Sequence, residues 1–320
     1  MALPEPVTAE PPALALPRLM RQSWRDVAFL HWAVEPGSVA RLFPPGVRPD
    51  VLDGRTYVGL IPFRMVGAGF AHGPAVPWAG TFLETNVRLY SVDDTGRRGI
   101  VFLSLDADRA VVVAGARAVF GLPYRWARMG FRADGDERAY TTRLRRGGVH
   151  SRVAVRVGAP TAGGPLEHFL TARWGLHVAR GHRTRYIPNA HPPWPLRTAE
   201  LLDLDDGLVT AAGLGDLARR PPDHVAFSDG VAVRFGLPVP AATPRGGDRI
   251  SRRRNGYGTV MGNRDSNQSS VRTDEQIASP KGSEVTEDEA GGDEPMAEVP
   301  GGPQVDVPAA QGHVPEDDDR

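Results

Sequence analysis

The 320-residue chain has no cysteine, a single lysine at position 281 and no long hydrophobic run. Without cysteine, disulfides, thiolate catalysis and cysteine-ligated zinc are excluded, and a reducing, cytoplasmic compartment is favoured. Residues 1–280 therefore contain no lysine, and no side chain among them can form a Schiff base with a ketone. The longest apolar run, residues 110–116, is far shorter than the ~20 residues that span a bilayer. We therefore expect no membrane partner.

The net charge is zero, but the charges are unevenly distributed. Residues 241–320 hold nine basic and sixteen acidic side chains, and the rest of the chain holds 29 and 22. This excess is too small to indicate a nucleic-acid partner. Residues 241–320 are also poor in aromatics, so we predict a disordered acidic tail after a domain at 19–240, and a disordered segment at 1–18. The tail leaves a protein partner open, but the composition favours a solvated low-complexity segment.

Turn residues and apolar periodicity divide the domain into many short elements. A helix is predicted at 109–120, ended by Gly121 and by Pro123, which prevents the helix from resuming. The other predicted helices are 36–43, 165–174 and 214–218. The predicted strands are 26–34, 48–52, 55–65, 81–91, 100–106, 124–133, 139–145, 152–157, 177–186, 194–204 and 224–235. Since helices and strands do not alternate regularly, we predict an α+β, mainly β protein with a closed or strongly curved antiparallel barrel.

The strand at 81–91 has an unusual distribution of polar residues. Successive side chains of a strand point to opposite faces, so Glu84, Asn86, Arg88 and Tyr90 share one face. If that face were inside a barrel, the carboxylate and the guanidinium would have to pair or receive a ligand. If it faced water, it would be an ordinary salt-bridged surface. The alternation alone leaves both interpretations open.

Other chemical motifs are absent or weak. The nine histidines show no His-Glu-x-x-His spacing, and the chain has neither a Walker lysine nor a Gly-x-Ser-x-Gly elbow. We therefore predict no metal and no cofactor. Asp106 and Asp108 suit the N-terminus of the helix that follows them, and capping is the expected role of Asp108. Trp194 is predicted to pack or to line the mouth of a cavity.

Five segments taken in order resemble one protein family. They are 84–90 (Glu-Thr-Asn-Val-Arg-Leu-Tyr), 104–108 (Ser-Leu-Asp-Ala-Asp), 116–124 (beginning Ala-Arg and ending Gly-Leu-Pro-Tyr), 169–174 (Phe-Leu-Thr-Ala-Arg-Trp) and 193–196 (Pro-Trp-Pro-Leu). Together they resemble the bacterial YqjF-like family, domain of unknown function 2071, over about residues 19–238. That family is similar to acetoacetate decarboxylase, which implies a cone-shaped, mainly antiparallel barrel with peripheral helices and an internal pocket.

The resemblance also assigns positions at the end of the predicted helix. Acetoacetate decarboxylase has a Gly-Phe-Pro-Lys-Lys corner, in which the first lysine forms the Schiff base and the second lowers its pKa. Here the corner at 121–125 reads Gly-Leu-Pro-Tyr-Arg, so Tyr124 and Arg125 occupy the two lysine positions. A phenol cannot form an imine. Glu84 is similar to the barrel glutamate of the decarboxylase, which implies an inward-facing row.

Three functions follow as hypotheses. The first is a small-molecule binding protein for an organic acid or carbonyl compound, with a carboxylate held by Arg88 or Arg117. The second is a lyase or dehydratase in which Glu84 is the base and Tyr124 the proton donor; a raised pKa of Glu84 would favour it. The third is a regulatory or structural module, which a Glu84–Arg88 pair without room for a ligand would favour. A homo-oligomer stays open. The candidate catalytic residues are Glu84 and Tyr124, and the candidate ligand-binding residues are Asn86, Arg88, Tyr90, Arg117 and Arg125.

Overall fold

The computed structural model describes residues 2–70 and 73–241. These residues belong to one compact unit, Met1–Arg252. The predicted tail lies outside the described residues, apart from Ala241. At the other end, the part of 1–18 that is described contains no helix or strand, but it lies against the domain. The Ala2 and Glu5 amides donate to the carbonyls of Asp94 and Gly96 at 3.1 and 2.8 Å.

The described part of the chain is built mainly from strands, as predicted. Its helices are α1 (Pro36–Val39), α2 (Ala110–Phe120) and α3 (Pro165–Thr171), with shorter helical turns at Ala40–Leu42, Thr210–Leu214 and Leu217–Arg219. Its strands are β1 (Met20–Val34), β2 (Val47–Pro49), β3 (Thr56–Phe70), β4 (Phe82–Asp93), β5 (Arg98–Ala107), β6 (Tyr124–Asp134), β7 (Glu137–Leu144), β8 (His150–Pro160), β9 (Gly175–Arg180), β10 (Arg183–Ala190), β11 (Leu196–Asp206), β12 (His224–Phe235) and β13 (Val239–Pro240).

The strands form one sheet that closes on itself. The paired order β5-β6-β7-β8-β11-β12-β1-β3-β4 returns to β5 through the β4–β5 pairing. Most pairs are antiparallel. The exceptions are β5 with β6, which are parallel because α2 crosses between them, and a single parallel bridge between β5 and β9. The predicted mainly antiparallel, barrel-like fold is therefore confirmed.

Both faces of the central strands are buried. Val87 and Leu89 of β4 pack in one apolar cluster with residues of β1, β3, β7 and β8. Phe82, on the opposite face of β4, packs in a second cluster with Phe63 and Leu105. The sheet thus separates two apolar interiors, and the candidate site lies beside the second of them.

Local patterns predicted the elements more accurately than their partners. The strand at 224–235 and the end of α2 at Phe120 are confirmed. The predicted strands 48–52 and 55–65 are neighbours in sequence, but only one bridge, from Leu52 to Arg55, joins them, because β2 pairs with β4 instead of β3. The single predicted strand at 177–186 is two strands, β9 and β10, which turn at Gly181.

Candidate functional site

A small cavity lies within the second apolar interior. The centre of a water molecule can occupy about 90 Å³ of its volume. Its walls are mostly apolar, and its polar lining consists of Gln22 from β1, Glu84, Asn86 and Arg88 from β4, and Tyr124 from β6. The principal apolar lining residues are Trp24, Phe29, Ile61, Phe63, Phe102, Leu105, Phe120, Leu122, Leu176, Ile187, Trp194 and Phe235. A few convergent polar groups in an apolar cavity are typical of a small-molecule site.

Strand β4 supplies three adjacent polar side chains to this cavity. Glu84, Asn86 and Arg88 point to one face and are 3%, 4% and 7% exposed. The other face is buried as well, since Thr85 shares a 3.0 Å hydrogen bond with Thr142 of β7. Of the two interpretations left open by the alternation, the structure therefore has the inward-facing row.

The corner after α2 brings Tyr124 to the same place. Gly121 ends α2 in the left-handed conformation, with φ of 70°, and its amide donates to the Arg117 carbonyl at 3.1 Å. The chain then re-enters the sheet, where Tyr124 lies beside Leu105 of β5. From this position the Tyr124 hydroxyl donates to Glu84 Oε2 at 2.8 Å.

Burial changes the protonation of this pair. Desolvation raises the pKa of Glu84 to about 8, although hydrogen bonds from Tyr124 and Asn86 oppose the rise. Desolvation, followed by the nearby Glu84 carboxyl, raises the pKa of Tyr124 well above its usual value of 10.0. At neutral pH both groups are therefore uncharged. Together they present a carboxylic acid and a phenol to the cavity.

Arg88 is a buried cation that has no carboxylate partner within the described part of the chain. Its Nε and Nη2 donate to the Tyr90 hydroxyl at 3.2 and 3.0 Å, and Nη2 also approaches the Leu170 carbonyl at 3.4 Å. Its guanidinium carbon lies 5.8 Å from the centre of the Phe29 ring. Among residues 2–70 and 73–241, no Asp or Glu oxygen, including those of Glu84, lies within 4.0 Å of a side-chain nitrogen of Arg88.

Asn86 lies between Glu84 and Arg88 on the same face. Its Oδ1 is buried and has no hydrogen-bond partner within the described residues. Because buried polar atoms are nearly always hydrogen-bonded, an unpartnered oxygen in a cavity wall indicates a place for a ligand donor or a water molecule.

The other predicted ligand-binding residues lie elsewhere. Tyr90 is fully buried and lies behind Arg88, outside the cavity lining. Arg117 and Arg125 line a separate depression of about 400 Å³ beside Trp126. Arg125 is occupied there, because its Nε and Nη2 bind the buried Asp106 carboxylate at 2.6 and 2.8 Å. Neither arginine contributes to the cavity that holds Glu84.

Asp108 and Trp194 are two further residues for which the sequence predicted a role. The expected capping role of Asp108 is wrong, since no side chain caps α2; Asp108 instead accepts from the Leu83 amide at 3.2 Å and pairs with Arg109. Trp194 does line the cavity. It is fixed by an indole N–H bond to the Thr171 carbonyl at 3.2 Å.

Sequence reasoning missed the two histidines behind Arg88. His31 of β1 and His224 of β12 are buried, and their Nδ1 atoms are 3.0 Å apart. His31 Nε2 lies 2.6 Å from the Tyr90 hydroxyl. These residues are 193 positions apart along the chain, so no local motif joins them. The local signal was that both lie next to apolar residues on predicted strands.

A Ser–His–Asp arrangement lies away from the cavity. The Ser91 hydroxyl is 2.9 Å from His177 Nδ1, and His177 Nε2 is 3.6 Å from Asp93 Oδ2. All three side chains are buried, and none lines the cavity of Glu84. A nucleophile must reach its substrate, so this arrangement connects strands and does not support hydrolase chemistry.

Within the described residues, no group of three or more His, Cys, Asp or Glu side chains is placed to hold a metal ion. No helix among those residues is long and apolar enough to cross a membrane.

Solved structures of acetoacetate decarboxylase-like proteins share this fold. Acetoacetate decarboxylase from Legionella pneumophila subsp. pneumophila str. Philadelphia 1 is 14% identical, with a TM-score of 0.54 over 76% of this chain and 92% of that chain. The enduracididine biosynthesis enzyme MppR, complexed with pyruvate, is 16% identical, with a TM-score of 0.51 over 72% of this chain and 93% of that chain. An acetoacetate decarboxylase-like enzyme from Sphingomonas wittichii RW1 is 13% identical, with a TM-score of 0.50 over 71% and 94%. The fold class is therefore acetoacetate decarboxylase-like.

Sequence comparison then identifies the family. The family DUF2071, described as an uncharacterized conserved protein, matches residues 21–232. The uncharacterized protein YqjF of Bacillus subtilis (strain 168) is 34% identical over 186 residues, which cover 57% of this chain and 76% of YqjF. The chain belongs to the DUF2071 family, and the predicted resemblance is confirmed.

Proposed function

We propose that the cavity binds a small organic monoanion, whose carboxylate meets Arg88 and whose carbonyl or hydroxyl group meets Asn86, Glu84 and Tyr124. The observation that carries this proposal is the Arg88 guanidinium, 7% exposed, lining the cavity without a carboxylate partner among the described residues. Removing an unpaired charge from water costs several kcal/mol, and a ligand carboxylate would offset that cost.

The charge of the lining supports a ligand with one negative charge. Glu84 has a pKa of about 8 and is therefore mostly protonated at neutral pH, whereas a guanidinium stays charged. Of the polar residues in the lining, only Arg88 then carries charge. A dianion would leave one charge unneutralised in a low-dielectric site, and a neutral ligand would leave Arg88 unpaired.

The size of the cavity supports a short ligand. The centre of one water molecule needs roughly 10–15 Å³ of space. With about 90 Å³, the cavity therefore has room for several water molecules or a compact organic acid. The structural neighbour MppR has been solved in complex with pyruvate, which is such an acid. We infer the same ligand class here, on the chemistry of Arg88 and Asn86.

The sequence separates this proposal from Schiff-base decarboxylation. Tyr124 stands where the resemblance places the imine-forming lysine, and residues 1–280 contain no lysine. A phenol hydrogen-bonded to Glu84 can orient a carbonyl oxygen, but it cannot form an imine with it. On this account the chain retains the cavity of the fold without the amine nucleophile.

A lyase or dehydratase is the second candidate, and the raised pKa of Glu84 favours it. General acids and bases work best when their pKa lies near the operating pH. With a pKa of about 8, only about one tenth of Glu84 is ionised at pH 7, so it serves there chiefly as a proton donor and becomes a base as the pH rises. This reverses the roles that the sequence suggested for Glu84 and Tyr124.

Calorimetric titration of the purified protein tests the proposal. We expect one or more of pyruvate, acetoacetate and 3-hydroxybutyrate to bind at pH 7, and uncharged methyl pyruvate to bind at least about tenfold more weakly. Arg88→Gln should lower acid binding by about 10- to 100-fold, which corresponds to the loss of a charged hydrogen bond. Arg117→Gln is the control: this arginine is exposed, lies outside the cavity and should leave binding unchanged.

The outcomes separate the three functions. Binding together with Glu84-dependent exchange of the ligand's acidic C–H protons in D2O, followed by NMR, would favour the enzyme. Binding without exchange would favour the binding protein. If no acid binds at concentrations up to about 10 mM, the proposal fails and the non-catalytic module is favoured. Equal losses in Arg88→Gln and Arg117→Gln would also contradict it.

A further inference from the structure

A chain of hydrogen bonds leads from Arg88 to the protein surface. Arg88 donates twice to Tyr90, and the Tyr90 hydroxyl lies 2.6 Å from His31 Nε2. His31 Nδ1 lies 3.0 Å from His224 Nδ1, and His224 Nε2 lies 3.5 Å from Glu167 Oε1. Only the Glu167 side chain, which is 26% exposed, reaches solvent appreciably.

The hydrogen-bond chemistry fixes the direction of this chain. Because Arg88 can only donate, both of its bonds occupy acceptor sites of the Tyr90 oxygen, and the single hydroxyl proton must point to His31 Nε2. His31 then carries its proton on Nδ1 and donates it to His224 Nδ1. His224 in turn carries its proton on Nε2, facing Glu167. One neutral tautomer of each ring satisfies every contact.

The sheet is shaped to hold these groups side by side. In the strand register, Gly59 of β3 pairs with His31 on one side and with Arg88 on the other. A Cβ atom at Gly59 would lie 3.2 Å from both side chains, closer than ordinary packing allows. The absence of a side chain at this position is what lets the ring and the guanidinium stem lie over the strand.

We propose that the His31–His224 pair is the positioning unit of the ligand site: it holds the Tyr90 hydroxyl as an acceptor for Arg88, and so presents the remaining Nη1 of Arg88 to the ligand carboxylate. This inference rests on the proposed function. Within the described residues, Nη1 makes no hydrogen bond of its own. His31 and His224 are not among the residues that line the cavity, and they act through Tyr90.

A proton added to the pair would break the chain. The two Nδ1 atoms would then both carry hydrogen and face each other. If His31 moved its proton to Nε2 instead, Tyr90 would have to accept three bonds and would lose the acceptor for its own proton. In the first case the His31–His224 contact is lost, and in the second Tyr90 can no longer accept both Arg88 bonds. Either change leaves Arg88 less firmly held, and affinity for an anion should fall.

The groups around the pair keep it neutral at pH 7. Desolvation, then His224 and Arg88, hold the pKa of His31 well below its usual value of 6.5, and desolvation lowers that of His224 despite Glu167. Arg173, whose guanidinium carbon lies 5.1 Å from the centre of the Tyr90 ring, adds a second positive charge nearby. Asp223, adjacent to His224 in sequence, binds Arg220 at 2.8 Å.

The test measures pyruvate binding from about pH 5 to pH 9, a range in which pyruvate stays ionised. For the wild type we expect affinity to fall on the acidic side as the histidine pair takes up a proton. It should also fall above pH 8 as Glu84 ionises and repels the anion. His31→Gln offers an acceptor to Tyr90 and does not titrate, so it should keep affinity at pH 7 and lose only the acidic fall.

Two variants complete the design. His31→Leu removes the acceptor and should weaken pyruvate binding at pH 7 by about tenfold. His177→Gln is the control, because this buried histidine bonds Ser91 outside the chain and should leave the pH profile unchanged. If His31→Leu does not fold, the profile of His31→Gln decides.

The results distinguish this inference from the proposed function. If Arg88→Gln abolishes binding but His31→Gln keeps the acidic fall, or His31→Leu binds as the wild type does, the positioning role is wrong and the ligand site stands. If the wild type binds none of the acids, the proposed function fails, and this inference with it. Independently of any ligand, ¹⁵N NMR should show His31 unprotonated at Nε2; a proton there would overturn the inference.

Discussion

At the level of single residues, burial has opposite consequences for two charged side chains of β4. Glu84 escapes the cost of desolvation by binding a proton, which is why its pKa rises to about 8. Arg88 has no such route, because a guanidinium cannot release its proton in a protein. Two positions four residues apart thus become a neutral acid and a permanent cation. This contrast gives the cavity a donor–acceptor end and a charged end.

The pKa of Glu84 makes folding stability depend on pH. Below its usual value of 4.5, Glu84 is protonated in both the folded and the unfolded chain. Between 4.5 and about 8 only the unfolded chain releases the proton, so stability falls as the pH rises through this window, and it levels off above it. Relative to Glu84→Gln, the wild type should lose up to roughly 5 kcal/mol of unfolding free energy between pH 4 and pH 9.

Urea denaturation of both proteins across this pH range checks the expectation. The difference between wild type and Glu84→Gln cancels the titration of every other group. A difference independent of pH would mean that Glu84 ionises in the folded protein near its usual pKa, and would contradict a protonated Glu84 at neutral pH.

At the level of elements, the turn from α2 into β6 determines where Tyr124 lies. Gly121 adopts a left-handed conformation, and Pro123 prevents another helical turn. The Leu105 amide then donates to the Pro123 carbonyl at 3.2 Å, and this bond joins the corner to β5. The local backbone geometry of the corner, together with its bond to β5, therefore brings the phenol to the cavity, where it binds Glu84.

One glycine variant just after α2 and one within it test this account. Gly121→Ala should destabilise the protein by about 1 kcal/mol, because an L-residue resists the left-handed conformation. A Cβ there meets no atom closer than 3.7 Å, so the cost is conformational. Gly115→Ala lies in the helix interior with open space around it, and it should stabilise by about 0.5–1 kcal/mol. Chemical denaturation measures both, and effects of the same sign would contradict the assignment.

For the whole molecule, closure of the sheet unites distant parts of the chain. The site takes side chains from β1, β4 and β6, and its positioning histidines lie on β1 and β12. The last strand, β13, then pairs with β10, and the Ala241 amide donates to the Thr184 carbonyl at 3.0 Å. Strand pairing among the described residues thus extends as far as the predicted domain boundary at residue 240.

Truncation tests this boundary, which stays a prediction. A chain ending at Ala241 should melt within about 2 °C of the full-length protein, because every hydrogen bond of the described sheet is kept. A chain ending at Gly236 loses β13 and the Arg97 bond to the Pro240 carbonyl, and it should melt several degrees lower, since about 1–2 kcal/mol corresponds to roughly 2–8 °C at this size. A large drop on removal of residues 242–320 would place the boundary further along the chain.

Local sequence patterns predicted much of the fold and part of the site. The alternation of 81–91 grouped Glu84, Asn86 and Arg88 correctly, since the pleat of a strand is independent of its partners. The same reasoning placed Tyr90 in the cavity, whereas it lies behind Arg88. Arg117 and Arg125 could not be placed by their position near the corner, because their direction depends on how α2 and β6 pack.

The amino-acid order alone was enough to exclude imine and thiolate chemistry from the domain, to end α2 at Gly121 and to group the polar face of β4, because each depends on composition or on a few neighbouring residues. Strand pairing then determined which way that face points, which cavity-lining arginine lacks a carboxylate partner among the described residues, and which histidines lie behind it. His31 and His224 show why: their contact spans 193 positions, and only closure of the sheet brings β1 and β12 together. Desolvation, which raises the pKa of Glu84, takes effect only after that closure has removed water from the site.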